Sequence, residues 1–358
     1  MKPGSPEEAA ALLREHDGPV RPRGGGTKPW GPPGDGTVLE TAGLGRIVEH
    51  NVGDFTAVLE AGVPLSEAQA AFAAEGQMLA LDPPADPKAT IGGAMATNDS
   101  GPLRHRYGSL RDLVVGTTVA LSDGTLANSG GRVIKNVAGY DLGKLFCGSH
   151  GTLGLITRVA VRLHPLVRET ATATGGSTDA AVLGSAAAAL AGRPLEADSL
   201  DVAWSDGAGR LLVRFAGAAS AEQAAATAEA MRVLGLDDTA VEEDDDAVWD
   251  AQRAAQRGDC VLKVSGRITD LPAVCRTGGA VVGRAGLGLF WLQVEPERVG
   301  EVREALHPRA CALLDAPEAL RGETWPVPDP GALAVMERLK QRFDPARAFR
   351  PGAFVGGL

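Results

Sequence analysis

Three short stretches of this sequence are rich in glycine, and each presents backbone N–H groups with little side chain in the way. The first is Arg23-Gly24-Gly25-Gly26-Thr27-Lys28. Three successive glycines between arginine and lysine make a concave set of N–H donors with positive charge at the rim, which suits a pyrophosphate. The second is Thr90-Ile91-Gly92-Gly93, which runs through small residues to Asn98, Ser100 and Gly101. An element built of such residues has few side chains to pack, so its backbone is expected against something flat and large. The third carries Gly148, Ser149, Gly151, Thr152 and Gly154 ahead of Ile156. Its spacing is G-x-x-G-x-x-G and a strand-like run follows it, whereas a dinucleotide fold places G-x-G-x-x-G between a strand and a helix. Taken singly, each stretch also reads as a tight turn.

Other reactive side chains are dispersed. The four cysteines (147, 260, 275 and 311) never form C-x-x-C, so they read neither as a disulfide framework nor as a zinc or cluster motif. The six histidines form no H-x-x-x-H or H-E-x-x-H pair, and no metal site is expected. Any electron transfer would then need an organic cofactor. Arg104-His105-Arg106-Tyr107 is a compact basic group, readable as a solvated loop or as an anion contact. The net charge of −10 argues against nucleic acid and against an electrostatic membrane anchor. No window reaches the roughly 18 apolar residues of a spanning helix, and the N-terminus lacks the apolar core of a signal peptide. The expectation is a cytoplasmic protein with no direct membrane insertion.

The elements that must position these residues fall into two halves. At 358 residues, two domains are the natural expectation. Ser5, Pro6 and Glu8 predict a capped helix, 37–41 and 55–62 predict strands, and 66–76 predicts a short helix with Ser66 at its N-cap and Gln69 at N3. Pro83, Pro84 and Pro87 forbid regular structure before the second glycine stretch. Residues 113–127 predict a hairpin turning at Ser122-Asp123-Gly124, and 155–163 a further strand. Strand, strand and short helix in this order indicate α+β. Past Arg168, predicted helices at 178–191, 220–235 (Ser220 as N-cap), 244–257 and 296–306 alternate with strand-like runs at 202–205, 211–217, 260–266 and 287–294, with 310–316 completing the pattern. This predicts a smaller α/β cap of ferredoxin-like type. The acidic run 242–247 reads as a solvated helix start. A last helix from Asp329 carries an apolar stripe of Leu333, Met336, Leu339 and Phe343.

Taken together, R-G-G-G-T-K, then T-I-G-G-A-M-A-T-N-x-S-G with R-Y-G, then K-N-V-A-G-Y-D-L with G-S-x-G-T-L-G-x-I-T, resemble the flavin domain of the vanillyl-alcohol oxidase (PCMH-type) superfamily. K-N-V-A-G-Y-D-L, A-E-G-Q-M-L-A-L-D-P-P at 74–84 and the tail L-K-Q-R-F-D-P-A-R-A-F-R-P-G are most similar to the FAD-binding E subunits of bacterial glycolate oxidases. The resemblance covers about 20–165 and the last 20 residues. It implies a two-subdomain FAD-binding fold over 1–168, a cap over 169–329, and a tail, 330–358, that returns to the FAD domain. It implies noncovalent FAD, with Arg23 to Lys28 around the pyrophosphate. Thr90, Ile91, Gly92, Gly93, Asn98 and Ser100 would serve the isoalloxazine and ribityl side, and Pro83 is a further implied cofactor-binding residue. Gly148, Ser149, Gly151, Thr152, Gly154 and Ile156 would lie near ribose and adenine. The first stretch has no histidine, where covalent relatives often have one.

Two departures stand out: His150 replaces a usual Glu, and Arg350-Pro351-Gly352-Ala353 replaces Asn-Pro-Gly-Arg. The resemblance further implies a subunit acting on a small 2-hydroxyacid beside a second FAD-containing catalytic subunit and an iron–sulfur subunit, meeting the inner membrane through them. A self-sufficient flavin oxidase and a non-catalytic assembly subunit are the alternatives. In the self-sufficient case, Arg104, Arg106 or Lys135 would anchor the carboxylate.

Overall fold

The computed structural model describes residues 1–131 and 141–358. Helix α1 (Pro6–Glu15) starts as the sequence predicts, with Ser5 accepting from the Glu8 N–H at 3.1 Å. Glu8 itself accepts from the N–H of Gly4, so the reciprocal half of the cap is made one residue early. Strands β1 (Val20–Arg23) and β2 (Thr37–Glu40) then pair in parallel. Next come β3 (Ile47–Asn51), β4 (Thr56–Glu60), helix α2 (Leu65–Ala74), β5 (Gln77–Met78) and three short helices, α3 (Ile91–Thr97), α4 (Arg104–Tyr107) and α5 (Leu110–Leu113). The predicted hairpin is β6 (Val114–Ala120) with β7 (Leu126–Gly130), followed by β8 (Leu155–Arg162) and β9 (His164–Pro165), the last paired with β5.

Five of these strands form one antiparallel sheet in the order β3-β4-β8-β6-β7. Its buried face, with Leu59, Val119, Val159 and Val161, meets Phe72 of α2, Ile91 and Met95 of α3, and Leu110 of α5. Helix α2 corrects the expected cap. Pro64 is its N-cap with no side-chain bond, and Gln69 instead bonds the backbone of Leu79 and Leu81. The glutamine thus ties the helix to the proline-rich segment ahead of the second glycine stretch.

The cap is larger in design than one ferredoxin-like unit. Its first half is β10 (Thr170–Ser177), α6 (Ala180–Ala191), β11 (Ser199–Ser205), β12 (Ala208–Ala216), α7 (Ser220–Val233) and β13 (Asp237–Glu242), linked by α8 (Asp246–Ala254) to the second. The second half is β14 (Val261–Ser265), α9 (Leu271–Cys275), β15 (Val281–Arg284), β16 (Leu289–Gln293), α10 (Val299–Leu306) and β17 (Ala310–Leu313). Each half is β-α-β-β-α-β. The two share one eight-stranded antiparallel sheet, β13-β10-β12-β11-β15-β16-β14-β17, joined where Val202 faces Gly283. Ser220 lies inside α7 rather than capping it. The acidic run is not simply solvated: Asp245 is buried and accepts from the hydroxyls of Thr170 and Thr172 and from Arg214 at 2.7 Å.

Helix α11 (Pro330–Phe343), capped by Asp329, leads into a tail that pairs with Val20 of β1. The stripe of Leu333, Met336, Leu339 and Phe343 is only half-buried. The anchor is instead Lys340, 2 % exposed, which donates to Asp344 and to the carbonyls of Thr152 and Phe349. Phe349 is fully buried among Leu13, Val20, Leu39 and Leu155, and Val20 exchanges backbone bonds with Ala348 and Arg350. Among the described residues no helix is long and apolar enough to cross a membrane.

Candidate functional site

The first glycine stretch leaves β1 at Arg23 and passes against the residues that open α3. A Cβ on Gly25 would sit 1.6 Å from the Lys88 carbonyl oxygen, and one on Gly24 would sit 2.5 Å from Thr90 Oγ1. Glycine is needed there because two stretches of the chain's own backbone touch. Gly26 is different: its φ is +69° and nothing crowds its Cβ position closer than 3.8 Å. The N–H groups of Gly25, Gly26 and Thr27 donate to no other group among the described residues. A row of unspent donors of this kind demands water or an anion.

The second and third stretches are sewn together. Thr90 caps α3 by accepting from the Gly93 N–H, and Gly92 donates to Ala61. Close packing explains Gly92, whose Cβ would lie 2.6 Å from that of Ala61. At the other end of α3, Met95 and Ala96 accept from the N–H groups of Gly148 and His150 at 3.0 and 2.8 Å.

All three stretches line one open cleft. Of the residues singled out in the sequence, Arg23 to Lys28, Thr90, Gly92, Gly93, Gly151, Gly154 and Ile156 form its wall. Ile91 is fully buried in the core, and Pro83, Ser100, Ser149 and Thr152 are buried outside the wall, where the last two spend their hydroxyls on Phe146 and Ser149 carbonyls. Gly148 and Asn98 also lie outside the wall. Asn98 ends α3 with φ 49°, and its Oδ1 is buried without a partner among the described residues. The segment K-N-V-A-G-Y-D-L falls at 135–142, so all of it up to Tyr140, Lys135 included, lies outside the described residues.

The charges around the cleft differ from the simple basic rim. Lys28 is buried in an ion pair with Asp99 at 3.2 Å, and Arg23 is half exposed and paired with Glu40. Arg350 lines the cleft and donates to the carbonyls of His150 and Pro32 at 2.9 and 3.2 Å. Burial lowers its pKa. Beside it His150, packed on Trp325 and Phe354, is pushed down to about 3 by burial and by the nearby Arg350 and Lys263, and is neutral. Both residues were visible in the sequence only as departures from a motif. Thr41 and Ala61, also in the wall, are of types that carry no chemical signal.

The cap grips the first stretch directly. Arg257 donates to the Thr27 carbonyl at 3.2 Å while pairing with Asp315, which also accepts from the indole of Trp30 at 3.0 Å. Arg106 is a second tie, reaching the Glu196 carbonyl at 2.6 Å and Asp198 at 3.4 Å. Among the described residues no three His, Cys, Asp or Glu side chains group closely enough to hold a metal ion.

A cleft walled by glycine backbone, with unspent N–H groups at one loop and small residues along α3, has the donors and the open backbone that FAD requires. The FAD binding domain family matches residues 1–130. D-lactate dehydrogenase of Archaeoglobus fulgidus is 38% identical over 175 residues, covering 47% of this chain and 39% of that protein. Glycolate oxidase subunit GlcE of Escherichia coli is 38% identical over 139 residues, covering 38% of this chain and 40% of that protein. These matches thus span about two fifths of each relative. Among solved structures, alkyldihydroxyacetonephosphate synthase superposes with a TM-score of 0.72 over 99% of this chain and 77% of its own, at 15% identity. The chain therefore has the PCMH-type FAD-binding fold, binds FAD, and has glycolate oxidase and D-lactate dehydrogenase homologues.

Proposed function

We propose that the chain is the FAD-binding subunit of an oxidoreductase for small 2-hydroxy acids, of glycolate type, which passes electrons to partner subunits. The observation that carries this reading is the single cleft that unites the three glycine stretches beside unspent N–H groups. FAD bound there would supply the hydride acceptor for the C2–H bond of the hydroxy acid, whose hydroxyl proton would pass to a base as the 2-oxo acid forms. In this reading Gly25, Gly26 and Thr27 hold the pyrophosphate. Thr90, Gly92 and Gly93 line the ring and ribityl side, and Gly151, Gly154 and Ile156 line the ribose and adenine. Pro83, Ile91, Asn98, Ser100, Gly148, Ser149 and Thr152 shape the wall from behind. FAD is noncovalent, since residues 23–28 contain no histidine. The working division is 1–168 for the FAD domain, 169–329 for the cap and 330–358 for the returning tail.

The similarity to a glycolate oxidase subunit supports a role within a complex. The partners would be a second FAD-containing catalytic subunit and an iron–sulfur subunit, at the cytoplasmic face of the membrane. A second reading, a self-sufficient dehydrogenase, is favoured by the equally strong similarity to a D-lactate dehydrogenase. Anaerobic addition of glycolate or D-lactate, with the flavin band followed, separates them. Bleaching only in the co-expressed set supports the subunit, and bleaching of the lone chain supports the second reading. No bleaching in either preparation would overturn both and leave a flavin-holding assembly role.

A further inference from the structure

The seam between the FAD domain and the cap sheet encloses three cations that the reading above leaves unused. Arg104 opens α4 on the FAD side. Lys263 of β14 and Arg284 of β15 stand on the cap sheet either side of Trp291, with their charged groups 5.4 and 4.6 Å from its ring centroid. Lys263 and Trp291 are direct cross-strand partners, and Arg284 follows two residues after Val282, which faces Trp291 from the other side. Lys263 and Arg284 therefore share one indole-floored patch, and Arg104 is close enough to act electrostatically on both.

Their partners do not balance them. Arg284 is fully buried, its Nε and Nη1 make no hydrogen bond among the described residues, and its nearest carboxylate, Asp201, is 3.9 Å away. With its amide turned to suit both neighbours, Gln256 accepts from Arg284 at 2.7 Å and donates to the Ser100 carbonyl. Among the described residues the Arg104 side chain bonds only the Ser100 hydroxyl, at 3.2 Å. The Lys263 side chain makes no hydrogen bond or ion pair among the described residues. Its ammonium is pushed down to about 8 by burial and by Arg104 and Arg284, with Asp99 opposing. The other carboxylates at the seam are taken: Asp99 by Lys28 and Asp82 by Arg253. Asp112 acts on Arg104 only at a distance, and Asp201 accepts from Gln252 at 2.9 Å, so among the described residues none of the three cations has a carboxylate closer than the 3.9 Å from Arg284 to Asp201. Like charges held together out of water are costly unless an anion sits among them.

The patch adjoins the flavin cleft. Lys28 lines the cleft and pairs with Asp99, whose charge acts on Lys263, and Lys263 in turn acts on His150 in the cleft wall. We propose that Arg104, Lys263 and Arg284 form a carboxylate-binding site over Trp291, and that its ligand is the carboxylate of a small 2-hydroxy acid. The identity of the ligand rests on the 2-hydroxyacid reading above. The site joins a cation from the FAD domain to two from the cap, so ligand binding draws the two domains together.

The test uses 2-hydroxyisobutyrate, a 2-hydroxy acid with no hydrogen on C2 and therefore no route to oxidation. Titration calorimetry on the purified FAD-loaded chain should give saturable binding, and the neutral 2-hydroxyisobutyramide should give none. Lys263→Met and Arg104→Gln should each weaken binding about tenfold, and Lys263→Arg should restore it. Lys263 is only part-buried and glutamine can keep the Ser100 contact, so both variants are expected to fold. Absence of binding in the wild type, equal binding of the amide, or unchanged affinity in both variants would overturn the site, even if hydroxyacids bleach the flavin. Binding with this pattern but no bleaching by any 2-hydroxy acid would support the site and overturn the redox reading.

Discussion

His150 links the chemistry of the cleft to its stability. Its imidazole stacks on Phe354 with centroids 5.3 Å apart and meets Trp325 edge-on at 4.6 Å, with Arg350 and Lys263 nearby. Burial first, then these two cations, take its pKa from 6.5 to about 3. Its folded pKa is thus below the unfolded one, so the unfolded chain binds more protons between these values. The stabilisation from neutral His150 is full above about pH 6.5 and falls away as pH drops toward 3. His150→Phe keeps the aromatic packing and removes the titration. The melting temperature of this variant should fall less than that of the wild type between pH 6.5 and 4, and equal slopes would show that His150 does not titrate on unfolding. The glycines around it were legible because their spacing speaks directly to backbone chemistry. The roles of His150 and Arg350 were not, because each depends on neighbours up to about 200 positions away in the chain, Arg350 on His150 itself.

At the scale of elements, the last helix matters through one buried ammonium. Lys340 joins α11 to the third glycine stretch at the Thr152 carbonyl and to the chain end at Phe349, while Asp344 accepts from Lys340 and from the N–H groups of Ala348 and Phe349. Lys340→Met would leave Asp344 buried without its cation, a loss of about 3–5 kcal/mol. Denaturant unfolding of this variant should read that loss, and a change under about 1 kcal/mol would show that the clamp is not stabilising. Hydrophobic periodicity pointed instead to Leu333, Met336 and Leu339, which are only half-buried. The same blindness hid β10 and β13. The run TATATGGS alternates threonine with alanine and offers little contrast, and DDTAVE is an edge strand whose residues are mostly exposed. Strands of strong contrast, such as β4 and β8, were plain in the sequence.

For the whole molecule, glycine patterning pointed to the three stretches that line one cleft, but not to how the cap sheet meets them. The cap proved to be two β-α-β-β-α-β units on one sheet, because β15, the strand that joins them, is four residues with a glycine. The seam also depends on pairs remote in sequence, such as Arg257 with Thr27 and Arg253 with Asp82. The central claim is that the three glycine stretches make one FAD cleft, with the first stretch holding the pyrophosphate. The direct measurement is flavin bound per folded chain, read from the acid-released supernatant of the wild type and of Gly26→Ala. A methyl at Gly26 meets no protein atom closer than 3.8 Å, so the fold should lose only about 1–2 kcal/mol from the positive φ. The account predicts one FAD released intact per wild-type chain and a several-fold lower content in the folded variant. Equal flavin content in the two proteins, or flavin that stays with the precipitate, would contradict it.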